Sequence, residues 1–258
     1  MKAPPRLFID ERLAKDQEIK LDREASHYVA NVMRRRVGDP LRLFDGKSGE
    51  WLARLTQIGR KAVQVHIETQ SRLFATVPDV WLLFAPVKKS RCEFMVEKAT
   101  ELGVRTLQSV QTRRTIAKPL RDERMALIVR EAAEQTERLD LPTLLPSASL
   151  EAVLQNWDAE RVLIFCDEAG EDVDQPWGGE HGRALPMLES LKTNPPGQKA
   201  AILIGPEGGF TPEERENLRA CAFVRPVTLG PRILRADTAA VAALSLWQAA
   251  CGDWIVVK

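Results

Sequence analysis

The chain has 258 residues, 44% of them hydrophobic and 28% charged, with a formal net charge of +1. That balance suits a globular protein with a sizeable core and excludes collagen-like, disulfide-stapled and low-complexity classes. The opening MKAPPRLFIDERL holds no continuous apolar stretch, and no later run reaches the ~20 apolar residues that a membrane span needs. A cytoplasmic location with no membrane partner is the expectation.

The near-zero net charge hides an uneven distribution. Residues 1–76 carry 15 Lys and Arg against 10 Asp and Glu, residues 88–130 carry 11 against 5, and residues 131–200 carry 5 against 14. The basic first half permits a nucleic-acid face, and is equally compatible with ordinary solvated surface. Cys92, Cys166, Cys221 and Cys251 lie far apart without a C-x-x-C pair, and only three histidines accompany them. Reduced, structural thiols and no metal site are expected.

In chain order, RLFID, EIKL, LRLFD, EWLARLTQI and AVQVHIE read as short strands, several of them alternating apolar and polar residues, between turns such as Asp45-Gly46 and Gly59-Arg60. They predict a small β-barrel. VWLLFAP, after Pro78, is a continuous apolar run suited to a strand buried on both faces. The domain boundary is placed near Thr76, giving domains 1–76 and 77–258.

Strand and helix patterns then alternate, which predicts a parallel sheet covered by helices in an α/β fold. Ser90 and Glu93 read as a capping box opening a helix with Phe94, Met95, Ala99 and Leu102, stopped by Gly103. VRTLQSV is the next strand. Arg121 to Arg138 carries Met125, Ile128, Val129 and Ala132 at helical spacing, and ends near Leu141-Pro142. RVLIFCD reads as a buried strand, and the acidic stretch Glu168 to Lys199 as mostly loop with room for a short helix.

KAAILIGPEGGF runs a buried strand directly into a Gly-rich turn, after which Thr211, Pro212 and Glu214 supply an N-cap, a first-turn proline and a capping-box carboxylate. Such a loop is either a tight turn or a cradle for a ligand on its backbone amides. A second loop follows the strand VRPVTLG: Pro231, Arg232, Ile233, Leu234 and Arg235 lead to a helix of small residues capped by Asp237 or Thr238. Ligands of open α/β sheets bind beyond the carboxyl ends of strands, so both loops can contact one molecule.

LIGPEGGF, LGPRILRADTA, ELGV (Glu101 to Val104) and EAAEQTER (Glu131 to Arg138), in this chain's arrangement, resemble the bacterial 16S rRNA (uracil-N3)-methyltransferase family. HYVANVMRRRVGD (His27 to Asp39) followed by LRLFDG resembles that family's PUA-like, RNA-binding barrel. The resemblance implies a SPOUT domain with a C-terminal trefoil knot behind the barrel, S-adenosylmethionine as cofactor, a homodimer, and 16S rRNA or the assembled small subunit as substrate. It assigns Leu203, Gly205, Glu207 and Gly208 to the first cofactor loop, and Leu229, Gly230, Ile233, Leu234, Arg235, Ala236 and Thr238 to the second. For RNA it gives weight to His27, Arg34 and Arg36 in the barrel, and to Lys88, Arg91, Arg114 and Lys118 in the second domain. His27 reads equally well as a structural histidine. Another SPOUT enzyme, acting on ribose 2′-oxygens, and a non-catalytic RNA-binding factor are the competing readings.

Methylating uracil N3 requires loss of the imide proton but no enzyme nucleophile, since the sulfonium donor is already activated. Arg235 is the candidate for stabilising charge on the imide oxygens, while Glu207 and Asp237 are the candidate proton acceptors. Position 237 departs from the family, which usually has Glu there, and the shorter side chain reaches less far. Each carboxylate also has a local structural role available, as a cap or as a holder of backbone amides.

Overall fold

Segments that alternate apolar and polar residues form strands because one face packs on a core while the other stays in water, and much of the N-terminal part of the chain is built this way. In this computed structural model, which describes residues 4–59, 62–167, 184–197 and 199–255, the chain forms two compact units. The first contains β1 (Arg6–Phe8), β2 (Glu18–Lys20), β3 (Pro40–Phe44), β4 (Glu50–Ile58) and β5 (Val63–Arg72), in one sheet ordered β1-β3-β4-β5-β2. The sheet is mixed: β1 runs parallel to β3, and the other pairs are antiparallel. Leu41, Leu43, Ala53, Leu55, Val63, Val65 and Ile67 supply its core. Between β2 and β3, α1 (Arg23–His27) is capped by the Asp22 carboxylate and widens into a π-turn over Tyr28–Val32.

The first unit also takes in Arg130–Leu141, unlike a single cut after Thr76. The reason is a buried polar cluster. Arg6 Nε donates to Glu50 Oε2 at 2.6 Å, and its terminal nitrogens donate to the carbonyls of Ala133 (2.8 Å) and Arg138 (2.7 Å). Arg42 and Arg72 both bond Glu137, and the Phe8 N–H donates to Glu134. Contacts between residues 44 to 132 positions apart leave no local pattern in a sequence.

The second unit begins with β6 (Asp79–Phe84), α2 (Lys89–Glu101), β7 (Thr106–Gln111) and α3 (Asp122–Gln135), whose last residues belong to the first unit. It continues with β8 (Thr143–Ser149), α4 (Leu150–Gln155), β9 (Val162–Cys166), α5 (Met187–Thr193), β10 (Lys199–Ile204), α6 (Pro212–Ala220), β11 (Val224–Val227) and α7 (Ala236–Cys251). All six strands are parallel, in the order β11-β9-β10-β6-β7-β8. One hydrophobic cluster joins the sheet to α2, α5 and α7 through Met95, Leu191, Ala243, Leu244 and Trp247, and another joins it to α4 and α6 through Leu150, Val153 and Leu218. Continuous apolar strands such as LLF and ILI are what a sheet covered on both faces requires.

Two helix starts differ from the sequence expectation. Helix α2 is capped at Lys88 and has no side-chain cap. The Val87 N–H donates to Cys92 Sγ at 3.2 Å, and Glu93, freed from a capping box, accepts from Arg124 Nε at 2.8 Å. Helix α7 starts at Ala236 with Arg235 as its extended N-cap residue, so Asp237 lies inside the first turn, where its Oδ1 accepts the Thr238 N–H. Gly103 stops α2 as expected, at φ +75°. Strand β8 carries Pro146 and breaks the usual strand pattern, which a strand at the sheet edge tolerates because one side needs no ladder partner. Of the acidic stretch Glu168 to Lys199, residues 168–183 and 198 lie outside the described residues. No helix among the described residues is long and apolar enough to cross a membrane, and no group of three or more His, Cys, Asp and Glu able to hold a metal occurs among them.

Candidate active site

Parallel strands deliver all their carboxyl ends to one sheet edge, and there β9, β10 and β11 hand over to Asp167, Gly205 and Thr228. The first loop turns sharply. Gly209, at φ +65°, donates its N–H to the Pro206 carbonyl at 2.9 Å. A Cβ on Gly205 would collide with the Phe210 ring, which folds back under the loop and packs edge-on against Phe165 at 5.0 Å. Glycine at 205 is therefore set by packing, independently of any ligand. Thr211 then caps α6: its hydroxyl accepts the Glu214 N–H at 3.2 Å, while Glu214 accepts the Thr211 N–H at 2.9 Å. The other Glu214 oxygen accepts the Arg113 N–H at 2.8 Å, which ties the loop after β7 to the same corner. The second loop passes through Gly230 at φ +122°, a conformation that L side chains rarely adopt.

A cavity of about 460 Å³ opens between these loops, within the size range of small-molecule sites. Gly205, Glu207, Gly208, Ile233, Leu234, Arg235 and Ala236, all expected at the cofactor site, line it, as does Arg114. Leu203 faces the apolar core beside Phe165. Leu229, Gly230, Asp237 and Thr238 stand outside the cavity wall. Lys88 and Lys118 are exposed on the same unit but outside the cavity wall, and His27, Arg34 and Arg36 are exposed on the first unit, with Arg34 at φ +53°.

Charge at the site is organised around arginines. Arg91, near the start of α2, hydrogen bonds to Glu207 in the first loop and lies 3.9 Å from Asp237 in the first turn of α7. One guanidinium thus joins both loops, and both candidate proton acceptors are engaged by it. Arg113 pairs with Glu213, and the hydrogen bond and charge of Arg113 hold that carboxyl below its ordinary range. Arg114 donates to the Gly208 carbonyl at 3.0 Å. Arg235 is exposed in the cavity wall and bonds no carboxylate among the described residues.

The wall also holds residues that the sequence reading passed over. Asp167, its side chain only 2% exposed, binds Arg215 (3.0 Å) and Arg219 (2.9 Å) where β9 ends. Arg215, Cys166, Phe210 and Ala239 line the cavity as well. The signal for Asp167 was available: it directly follows a buried strand, on the edge where open α/β sheets bind ligands.

The double attachment of Arg91 has a measurable consequence. Arg91→Ala and Glu207→Ala should each weaken ligand binding at the cavity, and together should cost less than their sum, with a coupling of about 0.5–1 kcal/mol for a partly exposed pair. A double-mutant cycle measured by calorimetry checks this, and strict additivity would remove the staple from the description.

Comparison with known proteins now bears on the cavity. The RNA methyltransferase domain family matches residues 75–248, and the RNA methyltransferase PUA domain family matches residues 21–68. The chain belongs to the RNA methyltransferase family. Among curated members it is similar to the ribosomal RNA small subunit methyltransferase E of Rickettsia conorii, with 31% identity over 93% of each chain. It is 34% identical to that of Synechocystis sp., over 85% of this chain and 69% of the relative. The crystal structure of a ribosomal RNA small subunit methyltransferase E from Neisseria gonorrhoeae, bound to S-adenosyl methionine, superposes with a TM-score of 0.82. It is 27% identical, covering 98% of this chain and all of that one. In this RNA methyltransferase, both chemical loops and the cavity between them fall inside the matched catalytic domain.

Proposed function

We propose that this RNA methyltransferase transfers the methyl group of S-adenosylmethionine to N3 of one uridine in the 16S rRNA of the small ribosomal subunit, acting in the cytoplasm as a homodimer. The observation that carries the reading is the cavity itself. Two strand-end loops enclose it, one presenting side-chain-free Gly208 and Gly209, the other presenting Ile233, Leu234 and Ala236 beside Arg235.

That donor set fits the cofactor. Ile204, Leu234, Ala236 and Ala239 offer an apolar bed for a flat base, and the first loop brings backbone amides close. Glu207 and Asp167 bring negative charge to the wall, and Arg114, Arg215 and Arg235 bring positive charge, so both ends of a zwitterionic amino-acid tail can be matched. When bound, the cofactor supplies an electrophilic methyl group.

The remaining chemistry belongs to the chain. The uracil imide is mostly protonated at neutral pH, so transfer needs the N3 proton removed and the resulting charge stabilised. Arg235, exposed in the cavity wall, is the group we assign to the imide oxygens. Glu207, tied to Arg91, and Asp237, which stands outside the cavity wall, hold the loops in register and remain candidates for relaying the proton. His27, Arg34 and Arg36 on the PUA unit, and Lys88, Arg91, Arg114 and Lys118 on the catalytic unit, are the proposed RNA contacts. They would act mainly on phosphates, as a source of affinity and register.

The test pairs a binding measurement with a product measurement. A Cβ on Gly208 meets Arg114 Cβ at 3.7 Å and Cδ at 3.9 Å, ordinary van der Waals contacts, and the backbone there is outside the positive-φ range, so a side chain is tolerated. Gly208→Trp should therefore stay folded and lose S-adenosylmethionine binding by calorimetry. Digested rRNA from a strain lacking the gene should lose one N3-methyluridine by mass spectrometry, which the wild-type gene restores. A ribose-methylated nucleoside lost in its place would establish the 2′-oxygen reading, and an unchanged digest would reject the substrate.

A further inference from the structure

The loop between β7 and α3, residues 112–121, leaves the sheet edge on which the cavity opens. It presents Ile116 at 98% exposure, more than any other large apolar side chain among the described residues. A single exposed hydrophobe is common and needs no explanation by itself. This one is held out by a braced loop. The Thr112 N–H donates to Thr115 Oγ1 at 3.0 Å, the Thr115 N–H returns to the Thr112 carbonyl at 3.1 Å, and the two hydroxyls lie 2.9 Å apart. Arg113 anchors the turn to α6 through its N–H on Glu214 (2.8 Å) and its guanidinium on Glu213 (3.0 Å).

Charge and position give the exposed side chain a direction of use. Residues 112–121 contain Arg113, Arg114, Lys118 and Arg121 and no carboxylate. Arg114 lines the cavity and bonds the Gly208 carbonyl, and Ile116 follows it by two residues, so their Cα atoms lie no more than about 7 Å apart. An apolar tip between cations, braced at the mouth of a cavity, suits a polyanion with stacked apolar faces. N3 of uridine lies on the base-pairing edge, so it can be reached only when the base is unpaired or turned out of its stack.

We infer that Ile116 is a wedge that enters the base stack of the RNA beside the target uridine and holds that uridine turned out toward the cavity, with Arg114 and Lys118 on the flanking phosphates. Apolar side chains of this kind serve as wedges between bases elsewhere. The role is one of positioning, since Ile116 contributes no reacting atom. The inference rests on the proposed methylation of uridine N3.

The experiment compares the full-length wild type, Ile116→Ala and Ile116→Leu on unmethylated small ribosomal subunits, with 2-aminopurine placed beside the target uridine in a matching stem-loop RNA. Ile116→Ala should lower kcat about tenfold or more while leaving KM within about threefold. Its affinity for S-adenosylmethionine and its size in solution should be unchanged. Ile116→Leu, which keeps an apolar wedge, should restore kcat. The 2-aminopurine should brighten with wild type and Ile116→Leu and stay dark with Ile116→Ala. Wild-type turnover or wild-type brightening by Ile116→Ala overturns the inference, as does a parallel loss of cofactor affinity or a change in oligomeric size. Wild-type protein that transfers no methyl group to uridine overturns the proposed function, whereas transfer indifferent to Ile116 overturns the wedge alone.

Discussion

Arg235→Ala is expected to slow methyl transfer ~100- to 1,000-fold, the usual cost of removing one preorganised donor from a site of developing negative charge. The cavity wall holds three arginines, and their partners separate their tasks. Arg215 is bound to Asp167, and Arg114 donates to the Gly208 carbonyl. Arg235 caps the start of α7 with extended backbone and bonds no carboxylate among the described residues, so its charge is available to a substrate. If it acts on the imide oxygens, its loss should fall on kcat and leave cofactor affinity within about threefold, a difference under 1 kcal/mol. Arg235→Lys should recover part of the rate, since the charge stays but the planar fork is lost. Single-turnover transfer of labelled methyl to small-subunit RNA, measured beside calorimetry with the cofactor, separates the two effects. Equal losses in binding and transfer would make Arg235 a cofactor ligand, without a part in the chemical step.

The parts of this site legible in the sequence are those fixed by local rules. Thr211, Pro212 and Glu214 announced the start of α6 because a capping box is complete within four residues. Gly205 and Gly208 marked the loop, and the continuous apolar runs marked β6, β9 and β10 as strands of a sheet covered on both faces. What escaped is non-local. Ser90 and Glu93 fit the capping pattern as well as Thr211 and Glu214 do, yet Arg124 on the next helix takes the Glu93 carboxylate. Arg91 reads as a phosphate contact only through the family resemblance, and its partners Glu207 and Asp237 lie over a hundred residues away in sequence. The start of α7 was expected two or three residues later, because Asp237 and Thr238 are good caps by type, although Arg235 holds the cap position. The chemistry of the cofactor was carried by resemblance across nearly the whole chain, since backbone amides and small apolar residues leave only a weak signature of their ligand.

The first unit should be far more sensitive to one buried carboxylate than its short strands suggest: Glu50→Ala is expected to destabilise it by about 3–5 kcal/mol. Glu50 opens β4 with its side chain 1% exposed, against Arg6 at 2%. Two charges removed from water gain little net stability from each other, but taking one away leaves the other buried without its counter-charge. Arg6 also holds the carbonyls of Ala133 and Arg138, so an unpaired guanidinium there disturbs the attachment of residues 130–141 as well as the sheet. Ser71 Oγ, which donates to Glu50 at 3.0 Å, loses an acceptor in the same substitution. Glu50→Gln separates charge from hydrogen bonding, because the amide oxygen still accepts from Arg6, and it should cost less than Glu50→Ala. Urea unfolding followed by amide hydrogen exchange and mass spectrometry reports the first unit through peptides of β4, the strand that Glu50 begins. A midpoint shift equivalent to less than about 1 kcal/mol, the range of an exposed pair, would mean that water reaches Arg6 and that the cluster is no more than a surface contact.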